Sequence, residues 1–221
     1  MNKASMDTLF LFRKVMEKNP NNELMGEICK RHDKYNPDEL LQEILEDGSN
    51  TIATFLRGCP IEYDEILRDV ADKLDVKYEQ GTDYQNIELA LLAKVIQRIA
   101  IQTGSNKICF ADMDGNLQCF DADKGEFAEY ISKAIKSANR SAVTKSIMIV
   151  LGNVLRKNVM EQGIKLVSPQ VAKQVAYKLG PILNIIMGAC IVIDIAGPAY
   201  RKTIPTIINI SMLRLQESCD D

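Results

Sequence analysis

IELALLAKVIQRIAI, the stretch from Ile87 to Ile101, is strongly apolar, and its apolar residues recur at the spacing of a helix. Its few polar residues form a single stripe, made of Glu88, Lys94, Gln97 and Arg98. The turn residues Gly81-Thr82-Asp83 stand just before it and mark the end of the preceding element. The stretch therefore predicts an apolar helix that carries one polar stripe.

The segments before this helix show the same spacing of apolar residues. They predict helices at residues 4–18 and 23–31, one from Asn36 to Asp47-Gly48, a short one at 49–58, and one through residues 63–74. Asn36 is a preferred N-cap, and the Pro37, Asp38 and Glu39 that follow it suit a first helical turn.

The composition agrees with helix-on-helix packing. The chain is 46% hydrophobic and 26% charged, but only 6% of its 221 residues are aromatic and it has no Trp. The apolar mass is thus Leu, Ile, Val, Ala and Met, which suits helical cores. We expect an all-α fold, a multi-helix bundle with an apolar C-terminal helical hairpin.

Charge is distributed unevenly along the chain. Residues 1–130 hold 15 Lys and Arg against 25 Asp and Glu, a net −10, and residues 131–221 hold 12 against 5, a net +7. Residues 103–125 are the least helical part of the chain and are rich in Gly, Asn and Asp. We therefore predict an acidic helical part at 1–105, a turn-rich connector at 106–125 and a basic, apolar helical part at 126–221 that docks on the first.

The run from Pro181 to Gly197 is nearly as long as the ~20 residues that span a bilayer. Asn184 and Asp194 oppose insertion, since a carboxylate near the membrane centre costs ~2.5–3.5 kcal/mol. We interpret the run as a buried core helix in which Asp194 needs an ionic partner. A membrane-inserting helix is the alternative.

The six cysteines show no C-x-x-C spacing, and the N-terminus lacks the apolar core of a signal peptide, so we expect a reducing, cytoplasmic compartment. Cys29 and His32 form one C-x-x-H pair, but a structural zinc takes four ligands and no second pair follows. We expect neither a metal nor a cofactor, and we predict that His32 is solvated or locally bonded.

The strongest match to an enzyme motif lies at residues 107–117. It resembles the first motif of haloacid dehalogenase-type phosphatases, in which Asp112 would be the nucleophile and Asp114 the general acid and base. Asn116 replaces the usual Thr, and the surrounding chain lacks the alternating strands and helices of a doubly wound sheet. We interpret the motif as a polar Asp-Gly turn.

Other enzyme classes and nucleic-acid binding find no support. The chain has no P-loop or GxGxxG motif, and we can assemble no Ser/His/Asp arrangement because His32 is the only imidazole. The pI near 5.4 disfavours nucleic-acid binding. We therefore expect no enzymatic activity.

Two segments resemble the YaaW family of uncharacterised bacterial proteins. One is DGSNTIATFLRG at residues 47–58, which leads through Tyr63 to Asp69-Val70, and the other is GPAYRKTIP at residues 197–205. The resemblance implies a cytoplasmic helical protein without assigned activity, grouped with ubiquinol-cytochrome c chaperones. It supplies no catalytic residues.

These features favour a helical interaction or assembly factor that binds a protein. The candidate binding residues are Arg57, Tyr63, Tyr200 and Arg201, because Arg and Tyr often anchor interfaces. The structural alternative is a buried, bonded Tyr and an Arg at a helix end. A membrane-associating protein that uses residues 141–217 is the second hypothesis, and the oligomeric state stays open.

Overall fold

The computed structural model describes residues 1–49, 61–102, 104–111, 117–136, 140–159 and 200–220. These residues form eight helices and two strands: α1 Lys3–Lys18, α2 Glu23–His32, α3 Pro37–Ser49, α4 Tyr63–Lys73, α5 Tyr84–Gln102, β1 Lys107–Ala111, β2 Leu117–Asp121, α6 Glu126–Lys136, α7 Arg140–Val159 and α8 Tyr200–Asp220. The predicted helical class is confirmed, with the addition of one small two-stranded sheet.

The helices predicted before residue 103 agree closely with α1 to α5. Residues 50–58 of the short helix predicted at 49–58 lie outside the described residues, and Ser49 ends α3 instead. The apolar run at 181–197 also lies outside them, and with it the predicted C-terminal hairpin. The division into three parts stays a prediction. Within the part of the chain that the structure describes, no helix combines the length and apolarity needed to cross a bilayer.

Asparagine side chains fix where the first three helices begin. The side-chain oxygens of Asn2 and Asn22 each accept a hydrogen bond from the amide three residues on, at 2.9 and 3.0 Å. Asn36 accepts one from the Asp38 amide at 2.9 Å, as its cap position predicts. These bonds satisfy amides that the helix itself leaves unpaired.

Helix α5 lies at the centre of the fold. It packs against α4, α6, α7, α8 and β1, and 13 of its 19 residues are buried. The predicted polar stripe is therefore wrong in part, because Glu88 and Gln97 are buried among neighbouring elements. Gln97 donates to the Ala122 carbonyl at 2.8 Å, so this polar side chain ties α5 to the end of the hairpin.

The predicted turn-rich connector contains a β-hairpin. Strands β1 and β2 pair antiparallel, with Cys109 directly opposite Cys119. The two sulfurs form a disulfide, which departs from the reduced cysteines that the predicted compartment implies. A cross-strand pair ten residues apart gives no C-x-x-C signal, so the cysteine spacing could not indicate it.

An aromatic cluster holds the hairpin against α6. Phe110 and Phe120 come from the strands, Phe127 and Tyr130 come from α6, and their ring centroids lie 4.9 to 6.2 Å apart. Phe110 and Phe127 are fully buried. Because rings at this separation pack favourably, the cluster fixes the small sheet on the helical body.

Helix α8 inserts among the acidic N-terminal helices. It packs against α2, α3, α4 and α5, and also against α7. Ile207, Ile208 and Leu213 are fully buried at these contacts. Helix α8 thus packs on the N-terminal helices, and the docking of the whole part at 126–221 stays a prediction.

Gly48→Ala is expected to destabilise the protein. A Cβ at this position would lie 2.6 Å from Cγ1 of Ile66, which is fully buried in α4 and has little room to move. Overpacking costs about 1–3 kcal/mol and exceeds the gain in helix propensity of about 1 kcal/mol. Urea denaturation should show a net loss of about 1 kcal/mol in the free energy of unfolding.

Gly26→Ala is the matched control, because a Cβ at this helical glycine in α2 meets nothing within 4 Å. It should gain stability, by up to about 1 kcal/mol. If Gly48→Ala also gained stability, the close packing of α3 on α4 would be wrong.

Candidate functional site

Polar side chains of α8 enter the core in two places. We define the Arg214 cluster as Arg214, Glu88, Thr8, Tyr63 and Tyr84. The His32 cluster, defined below, lies nearer the start of α8. Both use residues that are far apart in the sequence, so the docking of α8 creates them.

A buried ion pair forms the centre of the Arg214 cluster. Arg214 Nε lies 2.8 Å from Glu88 Oε2, and its Nη2 donates to Thr8 Oγ1 at 2.9 Å. The Tyr63 hydroxyl donates to Glu88 Oε1 at 2.7 Å. The guanidinium carbon also lies 5.2 Å from the centroid of the Tyr84 ring. Helices α1, α4, α5 and α8 thus each contribute one or more groups.

The electrostatics of this cluster follow from its burial. Burial raises the pKa of Glu88, and the Arg214 charge and the Tyr63 hydroxyl oppose that rise. Burial also raises the pKa of Tyr63 well above its ordinary value. Tyr63 therefore acts as a hydrogen-bond donor to the carboxylate, and Arg214 balances the carboxylate charge.

A small cleft of about 110 Å³ borders the Arg214 cluster. It lies between α5, α7 and α8, and its lining includes Glu88, Arg214, Arg140, Thr144 and Ser211. Arg140 already contacts Asp83 and two amide side chains at the start of α5. The cleft can hold a few water molecules, but its charged wall groups already have partners, Glu88 with Arg214 and Arg140 with Asp83.

The His32 cluster consists of His32, Asp47, Thr206 and Lys202. His32 Nε2 lies 2.8 Å from Thr206 Oγ1, and Nδ1 lies 2.9 Å from Asp47 Oδ2. Lys202 Nζ lies 2.6 Å from the same Asp47 oxygen. The prediction of a solvated or locally bonded His32 is wrong, because the side chain is 0% exposed and its partners come from α3 and α8.

This row of hydroxyl, imidazole and carboxylate has the spacing of a catalytic triad, which the sequence did not predict. Thr206 is fully buried inside α8, however, and its hydroxyl lies 2.8 Å from the Lys202 carbonyl. A nucleophile must reach its substrate, and neither Thr206 nor His32 is exposed to solvent. The row joins α2, α3 and α8.

The protonation state of His32 follows from its surroundings. Burial lowers its pKa to about 4, the nearby Lys202 charge adds to this, and Asp47 opposes it. The ring is therefore neutral at pH 7. Its Nδ1 faces the carboxylate of Asp47, and its Nε2 lies 2.8 Å from Thr206 Oγ1, whose hydroxyl donates to the Lys202 carbonyl.

The predicted binding residues occupy different surroundings. Tyr63 is fully buried in the Arg214 cluster, so it presents no surface to a partner. Tyr200 is half-buried and donates to Asp69 Oδ1 at 3.3 Å, and burial raises its pKa to about 12. Lys73 lies 5.0 Å from the Tyr200 ring centroid. Arg201 is exposed.

The other predicted site residues, Arg57, Asp112, Asp114 and Asp194, lie outside the described residues. The strand before Asp112 pairs antiparallel with β2, unlike a strand of a doubly wound parallel sheet. Among the residues that the structure places, no group of three or more His, Cys, Asp or Glu side chains could hold a metal ion.

The sequence reasoning missed Glu88 and Arg214. Each stands alone as a charge among apolar neighbours, in IELAL and SMLRLQ. An isolated charge inside an apolar helix indicates burial, and a buried charge needs a partner of opposite sign. The sequence contains this signal, but the signal does not identify which two charged residues form the pair.

Comparison with known proteins places the chain in a family. A UPF0174 protein of Helicobacter pylori strain J99 is 33% identical over 215 residues, which cover 94% of this chain and 84% of that protein. The chain belongs to the UPF0174 family. Two other UPF0174 proteins, from H. pylori strains J99 and 26695, are each 28% identical and match 80% and 81% of the chain. UPF0174 is an uncharacterised bacterial family.

No protein-family model matches this UPF0174 protein, and no solved structure matches it. Both polar clusters join helices distant in sequence. Arg214, Asp47 and Lys202 are 15%, 23% and 32% exposed, and the other members are buried.

Arg214→Met is expected to lower the free energy of unfolding by about 3–5 kcal/mol, because it leaves the Glu88 carboxylate buried without a counter-charge. Glu88→Gln should also destabilise, since it leaves the guanidinium unbalanced. The double variant buries no uncompensated charge, so denaturant melts should show a cost at least about 1 kcal/mol below the sum of the single costs.

Arg13→Met is the control, because Arg13 and its partner Asp38 are each 56% exposed. Its cost should stay within about 0.5 kcal/mol. Strictly additive costs of the two Arg214-cluster variants would show that the buried pair is not coupled.

Acid should weaken the fold through His32. Its folded pKa of about 4 lies below the ordinary value of 6.5, so the unfolded chain binds a proton that the folded one excludes. This contribution to stability is full above pH 6.5 and is lost as the pH falls toward 4. Between pH 7.5 and 5 the wild type should lose about 2 kcal/mol from this group.

The measurement is a series of denaturant melts at pH 7.5, 6.5, 5.5 and 5 on the wild type and on His32→Gln. The variant keeps two polar groups at this position but cannot titrate, so its stability should depend less on pH in this interval. Equal pH dependence of the two proteins would contradict the lowered pKa of His32.

Proposed function

We propose that this UPF0174 protein is a non-enzymatic helical interaction protein, of the assembly-factor kind, that binds a protein partner through the outer face of α1. The observation that supports this proposal is the exposure of two large apolar side chains on that face. Phe10 is 69% exposed and Met6 is 53% exposed.

Met6 and Phe10 are four residues apart, so they lie side by side on the helix. The opposite face of α1, with Leu11, Phe12 and Val15, is buried in the core. Single exposed apolar residues are common on proteins, whereas contiguous exposed apolar area marks interaction surfaces, and Met6 and Phe10 adjoin each other on this face. A partner that covers Phe10 and Met6 would remove this apolar area from water.

The polar clusters support an interaction role over an enzymatic one. Glu88, Arg214, His32 and Thr206 bond other side chains of the core, and these bonds join helices. The YaaW resemblance at residues 47–58 and 197–205 agrees, because it implies a helical protein without an assigned activity. Tyr200 and Arg201 remain candidates for a second contact.

A membrane-associating role for residues 141–217 is the alternative. Within this segment the apolar side chains of Ile147, Val150, Ile207 and Leu213 are buried in the core. They are therefore already covered by protein. This favours a protein partner.

A photo-crosslinking experiment tests the proposal. The photoreactive residue p-benzoylphenylalanine replaces Phe10 in the full chain, which is then irradiated in the cells that make it. Because the side chain is exposed, the replacement should not disturb the fold, and mass spectrometry should identify a discrete protein adduct. The control is the same replacement at Tyr35, which is 67% exposed between α2 and α3.

Adducts at position 10 with none at position 35 would support the proposed surface. Adducts of the same kind at both positions, or none at position 10, would overturn it.

A further inference from the structure

The exposed side of α1 has an ordered pattern. Five exposed residues are alternately three and four positions apart, so they form one stripe along the helix: Lys3, Met6, Phe10, Arg13 and Glu17. We name these five residues the outer stripe. Residues at this spacing lie on one face of the helix and can contact a neighbouring helix together.

The outer stripe has opposite charges at its two ends and apolar residues near its middle. Lys3 and Glu17 each lie seven residues from Phe10, which is about 10 Å along the helix axis. Met6 and Arg13 lie between them, at four and three residues from Phe10. The other four residues therefore lie at nearly equal distances on the two sides of Phe10. The charges at the two ends of the stripe have opposite signs.

We propose that the outer stripe binds the outer stripe of a second copy of this chain, with the two α1 helices antiparallel and Phe10 at the two-fold axis. This inference rests on the proposed function and names the partner of the same surface. In that arrangement Lys3 of each copy faces Glu17 of the other, so opposite charges meet twice.

The apolar centre also fits a second copy. Phe10 meets its own counterpart at the axis, and Met6 lies against the aliphatic part of Arg13 in the other chain. The Arg13 guanidinium lies 2.5 Å from Asp38 of α3, and the Arg13 side chain is 56% exposed, so part of it is open to a second copy. A parallel pair would instead bring Lys3 to Lys3 and Glu17 to Glu17, and like charges would repel.

One helix face buries less area than the roughly 800 Å² per partner of a standard interface, so we expect a reversible dimer in the micromolar range. Sedimentation of the full chain over about 1 to 200 µM should show a monomer–dimer equilibrium at this affinity. Phe10→Asp should weaken dimerisation at least tenfold, because it places two carboxylates at the axis. The control Tyr35→Asp, equally exposed but off the outer stripe, should dimerise like the wild type.

Charge reversal tests the antiparallel register. Lys3→Glu and Glu17→Lys should each weaken the dimer about threefold or more at low salt, because each creates two like-charge contacts. The double variant restores both pairs and should dimerise like the wild type. Within one chain these residues are about 21 Å apart, so rescue must arise between chains. Unchanged circular dichroism and melting would show that all variants fold.

Several results would overturn the inference. They are a wild type that stays monomeric throughout, a dimer unaffected by Phe10→Asp, and a double charge variant no better than the single ones. Binding of the wild type to phosphatidylglycerol vesicles that Phe10→Asp abolishes would assign the outer stripe to a lipid surface.

The proposed function fails separately from this inference. If the wild type stays monomeric but p-benzoylphenylalanine at position 10 links a different protein, the interaction surface stands and the second copy is rejected. If neither dimer nor adduct forms, both proposals are rejected.

Discussion

The contact between Arg214 and Glu88 constrains the rest of the helical body. Taking two charges out of water costs several kcal/mol for each ion, and their attraction offsets this only when both are also well hydrogen-bonded. Here Tyr63 donates to the carboxylate and Thr8 accepts from the guanidinium. Because these groups belong to four helices, the relative positions of α1, α4, α5 and α8 are fixed together.

The His32 cluster extends this constraint to the other two N-terminal helices. His32 ends α2, Asp47 lies near the end of α3, and both contact side chains of α8. Helix α8 is therefore held by specific polar bonds as well as by apolar packing. Apolar contacts tolerate small shifts of one helix along another, whereas a buried hydrogen bond that is lost leaves an unsatisfied group. The polar bonds thus give α8 one register.

This arrangement separates the polar clusters from the proposed interaction surface on α1. The Arg214 and His32 clusters lie in or against the core, and the exposed face of α1 carries Met6 and Phe10. A helix whose inner face is anchored in this way presents its outer residues rigidly. Rigid presentation favours binding, because less conformational entropy is lost when a partner docks.

The sequence by itself determined the helices, since apolar spacing and caps such as Asn36 act between residues a few positions apart. It also determined the uneven distribution of charge along the chain. Only the tertiary structure decided that Glu88 meets Arg214, that His32 lies between Asp47 and Thr206, and that Cys109 faces Cys119 across a hairpin. The first two contacts join residues 126 and 174 positions apart. Local periodicity contains no information about such pairs, because their geometry arises only when the whole core packs.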